Sequence, residues 1–164
     1  MEIIEATAKH LHIIQEIAEK TWPHTFAGIL SKEQITYMLN WMYSIESLTE
    51  QTTVRHHHFV LARIRQEYLG YASYETDYKG RPVTKIHKLY LLPQSQGKGT
   101  GRKLINHIGI KAREAGNSLL MLNVNKNNSA LEFYKKTGFE QTGTEVIDIG
   151  DGFKMEDIIM EAAI

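Results

Sequence analysis

Read as a pattern of apolar and polar positions, the chain has a helical first third and a strand-rich remainder. Met1 to Glu5 is strand-like. Apolar residues then recur at Leu11, Ile14, Ile17 and Ala18, the spacing of one helix face, with Thr7 as N-cap. His10 stands where a capping box would need Glu or Gln, so no box is expected. Pro23 predicts the end of this helix, because a residue before proline avoids the helical region. Trp22 to Gly28 is then a loop rich in aromatic and polar groups. Ser31 caps a second helix, with Gln34 at the box position and Ile35, Met38 and Leu39 inward. A further short helix fits Ser44 to Glu50.

From His58 the period shortens to two. Phe59–Ile64 and Tyr68–Glu75 flank the polar link Arg65-Gln66-Glu67, as a hairpin would. Lys79-Gly80-Arg81-Pro82 is a second turn, and Val83 to Leu92 a long strand. Along that strand Lys85, His87, Leu89 and Leu91 are expected on one face, and Ile86, Lys88, Tyr90 and Leu92 on the other. Leu104, Ile105, Ile108 and Ala112 mark the inner face of a helix at 99–115, closed by Gly116-Asn117. Leu119 to Val124 is a near-continuous apolar run, expected to be a strand buried on both faces. Asn127 or Asn128 caps a short helix through Leu131 and Tyr134, ended by Gly138. Residues 139–149 and 153–161 form an antiparallel pair around Gly150-Asp151-Gly152. The order βααβββαβαββ predicts an α/β (α+β) fold: one mixed, mostly antiparallel sheet with helices on both faces. No repeat or linker divides the chain, so 1–164 is expected to be a single domain.

Chemistry concentrates where the long strand stops at Pro93. Glycines at 97, 99 and 101 let consecutive backbone N–H groups face one concavity. The helix behind it adds unpaired N–H groups and the positive end of its dipole, which together suit a phosphate or pyrophosphate. The spacing departs from the dinucleotide fingerprint, since Arg102 takes the place of its third glycine, and from the nucleotide-hydrolysing P-loop. A glycine-rich turn with no ligand is the plain alternative.

Gln96-Gly97-Lys98-Gly99-Thr100-Gly101 resembles the Q/R-x-x-G-x-G/A signature of the GNAT superfamily of N-acetyltransferases. Asn127-x-x-Ala130-x-x-Phe133-Tyr134-x-x-x-Gly138-Phe139 resembles that superfamily's second signature. The likeness covers roughly residues 58–162, with the acetyl-CoA-binding core at about 84–139. Trp22, Thr25 and Phe26, within Thr21–Phe26, and the run Gly138–Gly143 are similar to bacterial spermidine/spermine acetyltransferases.

The resemblance implies direct attack of an amine on the thioester of acetyl-CoA, with no metal. By it, Gln96, Gly97, Lys98, Gly99, Thr100 and Gly101 hold the pyrophosphate. Leu89, Tyr90 and Leu91 offer backbone to the pantetheine arm and the acetyl carbonyl. Asn127 and Asn128 serve coenzyme A or cap their helix, Tyr134 protonates the departing thiolate, and Trp22, Thr25 and Phe26 line the acceptor pocket. Each of these side chains also has a simpler reading as core or cap.

The amine must shed a proton, which costs roughly 4.6 kcal/mol for an alkyl ammonium at pH 7. His87 stands where relatives often carry glutamate, and imidazole suits the role of base. A strand histidine without chemistry is its plain alternative, and Glu75, one strand away, is the rival base. His56-His57-His58 reads as a polar strand entry, because adjacent strand residues alternate faces and three cannot converge on one ion. Glu33, Glu46, Glu75 and Asp77 are candidates to attract a polyamine, though scattered carboxylates are ordinarily solvated surface.

Composition narrows the rest. Nineteen basic residues balance nineteen acidic ones, which argues against binding nucleic acid through bulk charge. Cysteine is absent, which removes an acyl-cysteine intermediate and thiolate metal sites. No apolar run approaches a membrane span and no signal-peptide layout opens the chain, so a cytoplasmic enzyme is expected, with a homodimer left open. The leading expectation is acetyl transfer to a small amine, a polyamine first. Acetylation of a protein N-terminus or lysine, and a non-catalytic acyl-CoA sensor, are the alternatives.

Overall fold

In the computed structural model, which describes residues 1–164, one seven-stranded sheet runs in the order β1-β2-β3-β4-β5-β7-β6. Its elements are β1 (Glu2–Glu5), α1 (Leu11–Thr25), α2 (Lys32–Tyr43), α3 (Ile45–Thr53), β2 (His58–Ile64), β3 (Glu67–Glu75), β4 (Val83–Leu91), α4 (Thr100–Glu114), β5 (Leu119–Asn125), α5 (Ala130–Lys136), β6 (Glu140–Gly150) and β7 (Phe153–Ala163). Only β4 and β5 pair in parallel, joined by the α4 crossover; the other neighbours are antiparallel. The mixed, mostly antiparallel sheet is as expected, with α3 formed in full, so three helices rather than two precede β2.

Two cores sandwich the sheet. Leu11, Ile14, Trp22, Met38 and Leu48 of α1–α3 pack on Phe59, Leu61 and Tyr71. On the other face Leu104, Ile105, Ile108 and Ala112 of α4 and Tyr134 of α5 pack on Val60, Ala72, Ile86 and Leu122. In β5 only Leu120, Leu122, Val124 and Asn125 are buried; Met121 and Asn123 are half-exposed on the other side. Burial on both faces was expected, but α1–α3 do not extend over β5, and that side stays open.

Two local expectations fail for identifiable reasons. Helix α1 continues through Pro23 to Thr25. The proline removes one donor on an exposed face, while Trp22 and Phe26, each 2% exposed, remain locked in the core and the Phe26 N–H still reaches the Trp22 carbonyl at 3.0 Å. Packing outweighs the local cost. At the other end of this segment His10 does the work of the missing glutamate: its Nδ1 accepts the Thr7 N–H at 2.9 Å. Ser31 and Ser44 cap α2 and α3 through the Gln34 and Ser47 N–H groups.

Candidate functional site

The site begins with an irregularity in β4. Ser73 of β3 pairs with Lys88, but its neighbour Tyr74 pairs with Ile86, so His87 is the extra residue of a β-bulge. At the same point β4 leaves β5: their ladder ends at Ile86–Leu122, while β4 follows β3 as far as Leu91–Gly70. The backbone edge of Leu89, Tyr90 and Leu91 that faces β5 is therefore left without a strand partner. The bulge also breaks the expected alternation. Leu89 and Leu91 join Ile86 on the α4 side, and Tyr90 and Leu92 lie on the α1 side.

A cleft of about 1090 Å³ opens at this wedge. Its lining falls into two sets: the glycine loop and α5, and the ends of α1–α3 with the β6–β7 hairpin. Of the residues expected to serve the site, Trp22, Thr25, Phe26, His87, Leu89, Tyr90, Leu91, Gln96, Gly97, Gly99, Thr100, Gly101, Asn128 and Tyr134 line this one space. Lys98 and Asn127 do not; both are exposed. Glu75 is not on the wall but lies against His87, which is. Arg102, Asn125, Ser129 and Phe133 line the cleft beside them and were not singled out from sequence.

At the glycine end, Gly97 and Gly99 have φ of +75° and +80°, where a side chain is strained although space is open. Gly101 is different: a β-carbon there would lie 2.8 Å from Phe133 Cζ. The first α-helical bond of α4 runs from Lys103 N–H to the Gly99 carbonyl at 3.1 Å, and no side chain caps the helix. The first-turn N–H groups thus remain available to an anion. These features fit a pyrophosphate, and the free β4 edge fits an extended amide-bearing arm. Asn128 Oδ1 accepts the Ala130 N–H at 2.9 Å and fixes the start of α5. That helix presents Tyr134, 7% exposed, with Phe133 and Phe139 edge-on to its ring. Burial raises the Tyr134 hydroxyl well above its usual pKa, so it stays protonated at neutral pH.

The other end is apolar and aromatic with carboxylates set into it. Trp22 packs on Phe26 and Tyr90 with ring centroids 4.5 and 5.5 Å apart, and its indole N–H donates to the Tyr43 hydroxyl at 3.3 Å. Trp41, Glu46, Glu50 and Asp157 share the wall. Asn123 Nδ2 donates to Glu145 at 2.9 Å and to Asp157 at 3.3 Å. Burial raises the Asp157 pKa, with the nearby Glu145 adding to the effect and the Asn123 bond opposing it. Of the carboxylates considered for attracting a polyamine, only Glu46 lines the cleft; Asp77 instead accepts a bond from Asn117 at 2.7 Å.

Between the two ends, Glu75 and His87 are partners rather than rivals. Glu75 Oε1 lies 3.0 Å from His87 Nε2 and 3.5 Å from His57 Nε2. The two imidazoles stack at 3.9 Å with planes 16° apart. His57 is thus no polar strand entry: its side chain is 9% exposed and built into the site. His56 sits before the strand at φ +58°, and His58 stacks on Tyr74, so the three adjacent histidines do not converge. An ionised carboxylate only accepts, which puts a hydrogen on His87 Nε2 and leaves Nδ1 as the basic atom. Burial, then the neighbouring His57, Lys88, Lys85 and Arg55, hold His87 well below its usual pKa.

His57, Glu75 and His87 also bring ligand atoms within 4.8 Å of one another. Both Nε2 atoms already face the one Glu75 oxygen, and Lys85, Lys88 and Arg55 place positive charge around them, which disfavours a cation.

Residues 26–157 match the family model of the acetyltransferase (GNAT) domain. An uncharacterized N-acetyltransferase of Mycobacterium bovis is 30% identical over 135 residues, 82% of this chain and 85% of that protein. The spermidine N(1)-acetyltransferase of Thermoplasma acidophilum is 26% identical over 161 residues, 95% of this chain and 96% of the relative. Among solved structures, PaiA N-acetyltransferase from Thermoplasma acidophilum in complex with coenzyme A superposes with a TM-score of 0.83 at 26% identity, covering 99% and 98% of the two chains.

Proposed function

Since the chain belongs to the GNAT family of acetyltransferases, we propose that it acetylates a small polyamine such as spermidine, with His87 as base and Tyr134 as acid. Acetyl-CoA is its co-substrate and supplies an acetyl group activated as a thioester. Gly97, Gly99 and the first turn of α4 hold the pyrophosphate, and the free edge at Leu89–Leu91 holds the pantetheine arm and polarises the carbonyl.

The acceptor nitrogen must be neutral to attack. The burial and positive charge that keep His87 unprotonated also favour the neutral amine beside it. As the C–N bond forms the nitrogen becomes strongly acidic, and His87 Nδ1 takes its proton while Glu75 steadies the Nε2 side. Tyr134 O–H gives a proton to the departing thiolate.

The observation that carries the polyamine is the acceptor end itself. Trp22, Phe26 and Trp41 suit methylene spacers, and Glu46 and Asp157 suit ammonium groups, while Glu50 is already paired with Arg55 at 3.3 Å. Likeness to a spermidine N(1)-acetyltransferase points the same way. Coenzyme A release measured with spermidine, spermine, lysine-bearing peptides and no acceptor tests it. Spermidine is expected to give the highest kcat/KM; turnover on peptides alone would reject it.

A further inference from the structure

His57 is adjacent to the chemistry but offers the cleft no free ligand atom: its Nε2 faces Glu75, and its Nδ1 is buried without any partner. What it touches is the base. Its ring covers one face of His87 at 3.9 Å, and both Nε2 atoms meet the same carboxylate oxygen. Tyr78 stands edge-on to His87 at 5.9 Å.

We infer that His57 is a positioning residue for His87: by lying on the imidazole face and sharing Glu75, it keeps water off the ring and presents a neutral Nδ1 to the acceptor amine. This rests on the reading of His87 as base.

Around His87, from β3 comes Glu75, from β4 itself Lys85 and Lys88, from the segment before β2 Arg55 and His57, and from the turn before β4 Tyr78. With one carboxylate oxygen shared by two stacked imidazoles and with Lys85, Lys88 and Arg55 near, the cluster has room for a single added proton. A second would add positive charge to a buried, already positive surrounding. His57 itself is pushed down to about 4, chiefly by burial, and stays neutral while His87 turns over its proton. Stacking also fixes the plane of the His87 ring, which hydrogen bonding through Nε2 alone would leave free to rotate about that bond.

The test is a nitrogen-15 NMR titration of His87 alongside steady-state kinetics. His57→Ala lets water onto the exposed face of His87, which relieves its desolvation and raises its pKa. That pKa should rise by about one unit or more, and kcat at pH 7 should fall about tenfold as the ring loses its fixed plane, with acetyl-CoA affinity unchanged. His57→Phe restores a flat apolar cover without a nitrogen, and should return the His87 pKa to near the wild-type position. A merely structural role would lower thermal stability in both variants without moving the His87 pKa. An unmoved pKa in His57→Ala, or a pKa in His57→Phe as displaced as in the alanine variant, overturns the inference. The titration needs no acceptor. Should His87→Ala retain full turnover, the base assignment falls, and the NMR titration still decides whether His57 governs the His87 ring.

Discussion

A β-carbon placed on Gly101 would come within 2.8 Å of Phe133 Cζ. The first turn of α4 and the middle of α5 thus approach as closely as a missing side chain allows, and they join the two sequence signatures into one wall of the cleft. Gly101→Ala must displace the Phe133 ring and with it the neighbouring Tyr134. The expected result is about 1–3 kcal/mol of lost stability and weaker acetyl-CoA binding, read by thermal melting and calorimetric titration. Gly97→Ala and Gly99→Ala meet no neighbour within 4 Å. Their cost is conformational, about 1–2 kcal/mol each, and falls on the loop rather than on Phe133.

Tyr134→Phe removes a hydroxyl that burial keeps protonated and leaves the packing with Phe133 and Phe139 in place. kcat should fall about 10²-fold or more, with KM for acetyl-CoA nearly unchanged. Undiminished turnover would contradict the acid role.

His87→Ala should lower kcat by about 10²–10⁴-fold without altering acetyl-CoA affinity. Glu75→Gln should cost less, because the amide oxygen can still accept the His87 Nε2 hydrogen across the 3.0 Å contact. Steady-state kinetics with both substrates varied separates the two effects.

Lys88 carries a pH signature of stability rather than of catalysis. It is 8% exposed, its ammonium donates to Gln51 Oε1 at 2.7 Å, and burial lowers its pKa from 10.5 to about 7. The unfolded chain therefore binds this proton more tightly than the folded one between those two values. Stability should rise with pH from about 7 upward, by at most about 1.4 kcal/mol per unit, and should be fully regained only above the unfolded value. Urea denaturation at pH 7, 8 and 9 should show this slope in the wild type and a flatter one in Lys88→Met. Equal slopes would mean that Lys88 is charged in the folded state.

The coenzyme half of the site was legible in sequence because its residues act locally. Gly97, Gly99, Asn128 and Tyr134 depend on a turn, a cap and a helix start, all set by near neighbours in the chain. Even there, Gly101 was read as backbone freedom and proves to be a packing contact with a residue of α5. The helix pattern of α1 was legible, but its length was not, since Pro23 argued locally for an end that the burial of Trp22 and Phe26 overrides.

What only the tertiary structure decided lies on β4. A bulge is a mismatch between two paired strands, and alternation along one strand cannot reveal it, so Leu89 and Leu91 share a face as expected but Ile86 joins them rather than Tyr90 and Leu92. The same bulge puts His87 where Glu75 from β3 and His57 from the entry to β2 converge on it. Spacing along the chain pointed to a phosphate-bearing donor at this loop; pairing between distant strands decided which imidazole lies against Glu75 and His57.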